Sequence, residues 1–255
     1  MKPLPEPRVL QIELPGERPM TYAELEGPEE RPAVLYVHGT PGAWTSFKKT
    51  MQEPQLAGQL RQISVDRPGW GGSYRRQDSR AGTEASLAAQ AAALDELLDQ
   101  IADDQTVVVV GHSLGAPIAA RFAADYPERV TGLLLAAGSI DPELEKATWY
   151  QRLGRTRLVR WMLPRSLVAA DEEIQPLRSE LEELLPLWEE IEAPVFVLHG
   201  VKDSLVPVEN VDFAKRVLKT RLEVELIPKR GHLLQVHETS RIAEAVLKLA
   251  EPAAP

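Results

Sequence analysis

This sequence predicts an α/β fold, a mostly parallel sheet of about eight strands with helices on both faces, on three observations. Short, nearly continuous apolar runs recur along the chain, among them Ala33–Val37 (AVLYV), Val107–Val110 (VVVV) and Val195–Leu198 (VFVL), as strands buried on both faces require. Segments of helical periodicity separate these runs. The runs end in turns rich in glycine, proline and polar residues, and in open sheets of this kind ligands bind beyond the carboxyl ends of the strands.

The elements follow in order. Arg8–Leu14 (RVLQIEL) and Met20–Leu25 (MTYAEL) alternate apolar and polar residues around PGERP, which predicts an antiparallel hairpin with one wet face. After the AVLYV strand come a helix over Thr45–Leu60, a strand at Ile63–Val65 (ISV) and a helix over Thr83–Ile101. The VVVV strand leads into a helix over Ala116–Asp125, then a strand at Leu133–Ala136 (LLLA). Past VFVL the pattern predicts a helix over Val208–Leu218, a last strand in LEVELIP and a helix over Ser240–Leu249.

The interval 141–192 breaks this rhythm, with helical patterns and no convincing strand. Leu177, Leu181, Leu184, Leu185, Trp188 and Ile191 form an apolar stripe at helical spacing, with Glu180, Glu182, Glu183, Glu189 and Glu190 on the other face. It is expected to be a helical cap inserted into one core domain made of residues 1–140 and 193–255.

Composition narrows the function. The 255 residues, 44% hydrophobic and 26% charged, suit one globular domain. No cysteine is present, so disulfides, thiol catalysis and thiolate metal sites are excluded together. A net charge of −9 disfavours binding to nucleic acid, whose phosphates would repel it. The first twenty residues lack an apolar core of signal-peptide length and no stretch approaches a membrane span, so the cytoplasm is the default expectation. No two histidines have the i, i+4 spacing of a helical metal site and the carboxylates form no calcium loop. Neither a metal nor a cofactor is therefore expected, and the partner is a small-molecule substrate bound by a monomer or homodimer.

Five stretches at or after strand ends carry the chemistry: HGTPG (His38–Gly42), DRPGWGGS (Asp66–Ser73), GHSLG (Gly111–Gly115), HGVKDSLVP (His199–Pro207) and RGH (Arg230–His232). A serine hydroxyl becomes a nucleophile when a histidine removes its proton, and a carboxylate orients and stabilises the imidazolium. Ser113 as nucleophile and His232 as base fit this requirement, with Asp203 or Asp66 as the acid. The oxyanion needs preorganised donors, for which the backbone N–H groups of Leu114, directly after the serine, and Thr40, in the glycine-rich turn, are the candidates. His38, His112 and His199, each beside a strand-end glycine, are expected to be structural.

GHSLG resembles the nucleophile elbow of the α/β-hydrolase fold, HGTPG its oxyanion loop, and DRPGWGGS the turn after the following strand in capped members of that superfamily. The resemblance runs from about residue 8 to about 250, and concordant motifs in the right order make it specific. It implies Asp203 as the acid and leaves Asp66 to anchor its own turn. Haloalkane dehalogenases and epoxide hydrolases carry an aspartate where this chain has Ser113, the HGGG loop of hormone-sensitive-lipase-like enzymes is absent, and prolyl aminopeptidases have HGGPG with GGSWG. The resemblance therefore implies a capped serine hydrolase, a carboxylesterase above all. A carbon-carbon bond hydrolase or cofactor-free perhydrolase with the same triad is the alternative, and a noncatalytic ligand-binding protein on the same fold the rival from another class. Trp44, Trp149, Trp161 and Trp188 are candidates to line the substrate pocket. Arg152, Arg155, Arg157, Arg160 and Arg165 precede an acid-rich half of the cap, and one of them reaching a substrate carboxylate is the sharper alternative to pairing between helices.

Overall fold

The computed structural model describes residues 4–74, 84–145 and 163–251. In chain order the elements are β1 (Arg8–Leu14), β2 (Arg18–Leu25), β3 (Ala33–Val37), α1 (Lys48–Met51), β4 (Gln62–Val65), α2 (Leu87–Ile101), β5 (Val107–His112), α3 (Gly115–Asp125) and β6 (Val130–Ala136), followed by α4 (Arg165–Leu184), β7 (Val195–Gly200), α5 (Asn210–Val217), β8 (Leu222–Ile227), α6 (Leu234–His237) and α7 (Thr239–Leu249). The eight strands form one sheet in the order β1-β2-β4-β3-β5-β6-β7-β8. The pairs β1/β2 and β2/β4 are antiparallel and every later pair is parallel.

Burial explains the apolar runs. β3, β4, β5 and β7 are buried along their whole length. One apolar cluster packs α2, α3 and α5 on one face of the sheet, and a second packs α1 and α7 on the other. No helix among the described residues is long and apolar enough to cross a membrane.

Three local expectations differ from the structure. The hairpin does not keep one wet face, because β2 lies between β1 and β4 and is buried from Met20 to Leu25. Its polar positions are satisfied inside: Arg61 and Arg8 reach Glu24 at 2.7 and 3.1 Å, and Thr21 Oγ1 accepts from Gln11 Nε2. The helix expected over Thr45–Leu60 is a 3-10 turn at Trp44–Phe47 followed by the single turn α1. Pro54 has no N–H to continue it and Gly58 sits at φ +75.

Trp188 is the third. The stripe Leu177, Leu181, Leu184, Trp188 and Ile191 joins the main core cluster beside α3 and α5. Trp188 is fully enclosed, its ring edge-on to Phe213 with centroids 5.6 Å apart. A side chain with no accessible surface lines no open pocket, so Trp188 is a core residue. Trp149, Trp161 and the arginines Arg152, Arg155, Arg157 and Arg160 lie outside the described residues. Trp188→Ala is expected to destabilise the fold by about 3–5 kcal/mol, read as a lowered urea midpoint; an unchanged midpoint would argue that Trp188 fills a pocket after all.

Candidate active site

The strand order sets the site. β3, β5, β7 and β8 run parallel, so HGTPG, GHSLG, the Asp203 loop and the His232 loop leave the sheet at the same edge. Ser113 follows β5 at φ +56, in the left-handed region that a non-glycine residue enters only at a cost. Its N–H donates to Ala136 O at 3.0 Å, and its carbonyl accepts from Ala116 N–H as α3 begins. The flanking glycines do not share the strain, since neither has a positive φ. They answer to space: a Cβ at Gly111 would sit 2.4 Å from Gly115 O, and one at Gly115 2.2 Å from Val37 O. The turn at Ser113 is thereby pressed against the end of β3.

That pressing brings HGTPG, the candidate oxyanion loop, against Ser113. Gly39 lies so close that a Cβ there would be 2.8 Å from Ser113 Cβ. Thr40 follows it, and Leu114 caps the start of α3. Among the described residues neither the Thr40 nor the Leu114 N–H donates a hydrogen bond. Thr40 Oγ1 is also buried without a partner.

Asp203 and His232 meet directly, with His232 Nδ1 2.8 Å from Asp203 Oδ2. The other carboxylate oxygen accepts from the N–H groups of Leu205 and Val206, both at 2.9 Å. Burial pushes the Asp203 carboxyl up, but the His232 hydrogen bond and these N–H donors outweigh it and hold it below the usual aspartate value. Among the described residues no hydrogen bond joins Ser113 Oγ to His232, a link that often tightens only when substrate is bound. The two loops are tied through the backbone instead. His112 Nε2 donates to His232 O at 3.0 Å, and the two rings lie 4.8 Å apart.

The remaining histidines have structural partners. His199 Nε2 donates to Val206 O at 3.1 Å, supporting the Asp203 loop. The N–H of Arg67 donates to His38 Nε2 at 3.1 Å, which leaves the proton on Nδ1 to reach Gly39 O at 2.6 Å. Asp66 is occupied elsewhere, its carboxylate accepting from Trp44 N–H at 2.7 Å and Gly72 N–H at 2.8 Å. Trp44 itself is half-buried beside the oxyanion loop.

The sequence reading missed one cluster. Arg67 is fully buried and meets the equally buried Glu173 of α4 through two hydrogen bonds, at 2.7 and 3.0 Å. Gln90 and Trp70 complete the cluster, Gln90 Oε1 accepting from Arg67 and Trp70 Nε1 donating to Glu173. The acids of this interval therefore do not all face solvent or its arginines. Arg165 donates to Gly69 O and stacks over Tyr74, 3.4 Å from the ring centroid. A cavity of about 680 Å³ opens at the opposite end of the sheet, among Val195, Phe196 and Lys248, and is lined by none of Ser113, Asp203 and His232.

The buried histidines make stability depend on pH. Burial, and then the charge of His232, lower His112 to about 4 from an ordinary 6.5. Between those values the unfolded chain binds a proton that the folded chain refuses, so stability is complete above 6.5 and falls as pH drops toward 4. Burial also lowers His38 and His199. Denaturant midpoints measured across this window should decline with acid, with a shallower slope in His112→Asn; a midpoint independent of pH there would contradict the burial of neutral histidine.

The model of the alpha/beta hydrolase family matches residues 34–245. A Bacillus subtilis (strain 168) protein named as a 2-succinyl-6-hydroxy-2,4-cyclohexadiene-1-carboxylate synthase is 27% identical, the match covering 84% of this chain and 88% of that one. A 2-hydroxy-6-oxononadienedioate/2-hydroxy-6-oxononatrienedioate hydrolase of Burkholderia vietnamiensis (strain G4 / LMG 22486) is also 27% identical, over 85% of this chain and 86% of its own. In fold the chain is similar to a thermophilic esterase from Thermogutta terrifontis, with a TM-score of 0.72 at 23% identity, covering 96% of this chain and 100% of that one. With the family model spanning most of the sheet and every strand-end motif, the chain belongs to the alpha/beta hydrolase family.

Proposed function

We propose that the protein is a serine hydrolase that cleaves a small or medium carboxylic ester through an acyl-enzyme. The observation that carries this reading is the 2.8 Å hydrogen bond between His232 Nδ1 and Asp203 Oδ2, beside a serine held at φ +56. With Nδ1 donating to the carboxylate, Nε2 is the free lone pair that takes the Ser113 proton.

Ser113 Oγ adds to the ester carbonyl as its proton passes to His232 Nε2. The carbonyl π electrons move onto oxygen, and the oxyanion is received by the N–H groups of Thr40 and Leu114. Collapse breaks the bond to the alkoxy group, which leaves as the alcohol with the proton from the imidazolium. Water then gives a proton to the same Nε2 and attacks the acyl-enzyme, releasing the carboxylic acid and restoring Ser113. Asp203, held ionised, stabilises the imidazolium at each stage. Trp44 borders the acyl pocket, and the interval 141–192, of which residues 141–145 and 163–192 are described, is the cap in which substrate choice resides.

A second reading rests on the relatives' names: the Burkholderia vietnamiensis protein is named for hydrolysis of a dienedioate, a carbon-carbon cleavage. One substrate panel separates the two, with p-nitrophenyl esters of graded acyl length beside a ring-cleavage dienone. The ester reading expects turnover of the esters, its loss in Ser113→Ala, and a single fluorophosphonate adduct on Ser113. Asp203→Asn should lower kcat by about 10⁴-fold, and by more than Asp66→Asn. Preferential cleavage of the dienone would move the assignment to carbon-carbon hydrolysis. Neither turnover nor labelling would leave a ligand-binding protein.

A further inference from the structure

Arg67 is a wholly buried charge that the proposed acyl transfer does not use. It sits in DRPGWGGS, outside the proposed triad, and its guanidinium divides its donors among α4, α2 and the loop after β3. Nη1 meets Glu173 Oε1 at 2.7 Å and Gln90 Oε1 at 2.5 Å, while Nη2 meets Glu173 Oε2 at 3.0 Å and Gly39 O at 3.1 Å. The carbonyl of Gly39 thus accepts twice, from Arg67 Nη2 and from His38 Nδ1 at 2.6 Å, and the backbone of Arg67 in turn holds that histidine.

Gly39 O and Thr40 N belong to one peptide unit. The unit is planar, so a grip on its carbonyl sets the direction of its N–H at the other side. Glycine at position 39 gives this peptide an unusually wide ψ range, and without a grip it could rotate and carry the Thr40 N–H out of line. A charge-assisted bond to the carbonyl also polarises the amide and strengthens its N–H as a donor.

We infer that Arg67, and through it Glu173 of α4, are positioning residues for the oxyanion hole: together with His38 they hold the Gly39–Thr40 peptide so that its N–H faces the developing oxyanion, and they couple that peptide to the inserted helix. The inference rests on the ester-hydrolase reading, because it needs Thr40 N–H as an oxyanion donor. It makes the position of α4 a determinant of rate: Glu173 shifts with its helix, Arg67 follows its partner, and the Gly39 carbonyl loses one of its two donors.

The test separates positioning from folding. A buried ion pair replaced on both sides by apolar residues of similar volume is often neutral for stability. The double variant Arg67→Met/Glu173→Met is therefore compared with wild type for Tm, for kcat and KM on a p-nitrophenyl ester, and for inhibition by an arylboronic acid, whose tetrahedral serine adduct mimics the oxyanion intermediate. The expected result is a Tm close to wild type, kcat lower by about tenfold to a hundredfold, KM nearly unchanged, and boronic acid affinity falling in step with kcat. Glu173→Gln, which keeps an amide oxygen for Arg67, is expected to show the same kcat-against-KM split at smaller size and serves if the double variant does not fold. Wild-type kcat and boronic acid affinity in a folded variant, with Ser113 still labelled by fluorophosphonate, would overturn the inference and leave the ester reading standing. A wild-type protein with neither turnover nor labelling would remove the ester reading itself and the inference with it.

Discussion

The candidate site depends on one steric constraint, the close approach of the turn between β5 and α3 to the end of β3. Helix α3 begins so near Val37 O and His38 O that only glycine fits at position 115. Gly111 leaves similar room for the backbone of Gly115 and Ala116. With both positions empty of Cβ, the chain turns sharply at Ser113 and takes the strain there, in the one residue whose side chain must stand clear of the sheet. The same approach brings Gly39 against Ser113 and so sets HGTPG beside the candidate nucleophile.

Around this contact the groups are held by hydrogen bonds that run across loops. His112 ties the serine turn to the carbonyl of His232. His199 ties the end of β7 to Val206, whose N–H holds Asp203. His38 bridges the Gly39 carbonyl and the backbone of Arg67. Each donates from one ring nitrogen, His38 also accepts at the other and so must be neutral, and burial keeps all three below the ordinary histidine value. The arrangement of the candidate site and the acid sensitivity of the fold thus draw on the same buried rings.

The Arg67–Glu173 pair is of another kind. Two fully desolvated charges contribute little net stability even when well paired. Glu173 also accepts from Trp70, and Gln90 of α2 accepts from Arg67, so one cluster joins the loop after β4 to α2 and α4. It makes α4 continuous with the core, as the enclosure of Trp188 does further along.

Much of this was legible from local pattern. The apolar runs marked five of the eight strands, because a strand buried on both faces has no polar alternative, while alternation marked β1 and β2 and LEVELIP marked the eighth. GHSLG, HGTPG, HGVKDSLVP and RGH pointed to Ser113, Thr40, Leu114, Asp203 and His232 as candidates, and the parallel strands bring their loops to one edge of the sheet, where His232 meets Asp203. What the chain alone left open were partnerships between distant segments. Whether Glu24 faces water, whether Trp188 lines a pocket or packs on Phe213, and whether Glu173 meets the inserted arginines or Arg67 are decided by which surfaces the sheet order brings together. Glu173 and Arg67 stand 106 residues apart, and no local periodicity distinguishes Glu173 from its neighbours Asp171 and Glu172. The sequence by itself determined the strand–helix alternation and which reactive residue types stand at the strand ends, which follow from short-range polarity and backbone geometry; the tertiary structure alone decided which buried charges and rings pair, since pairing depends on distances that close only when the sheet is assembled.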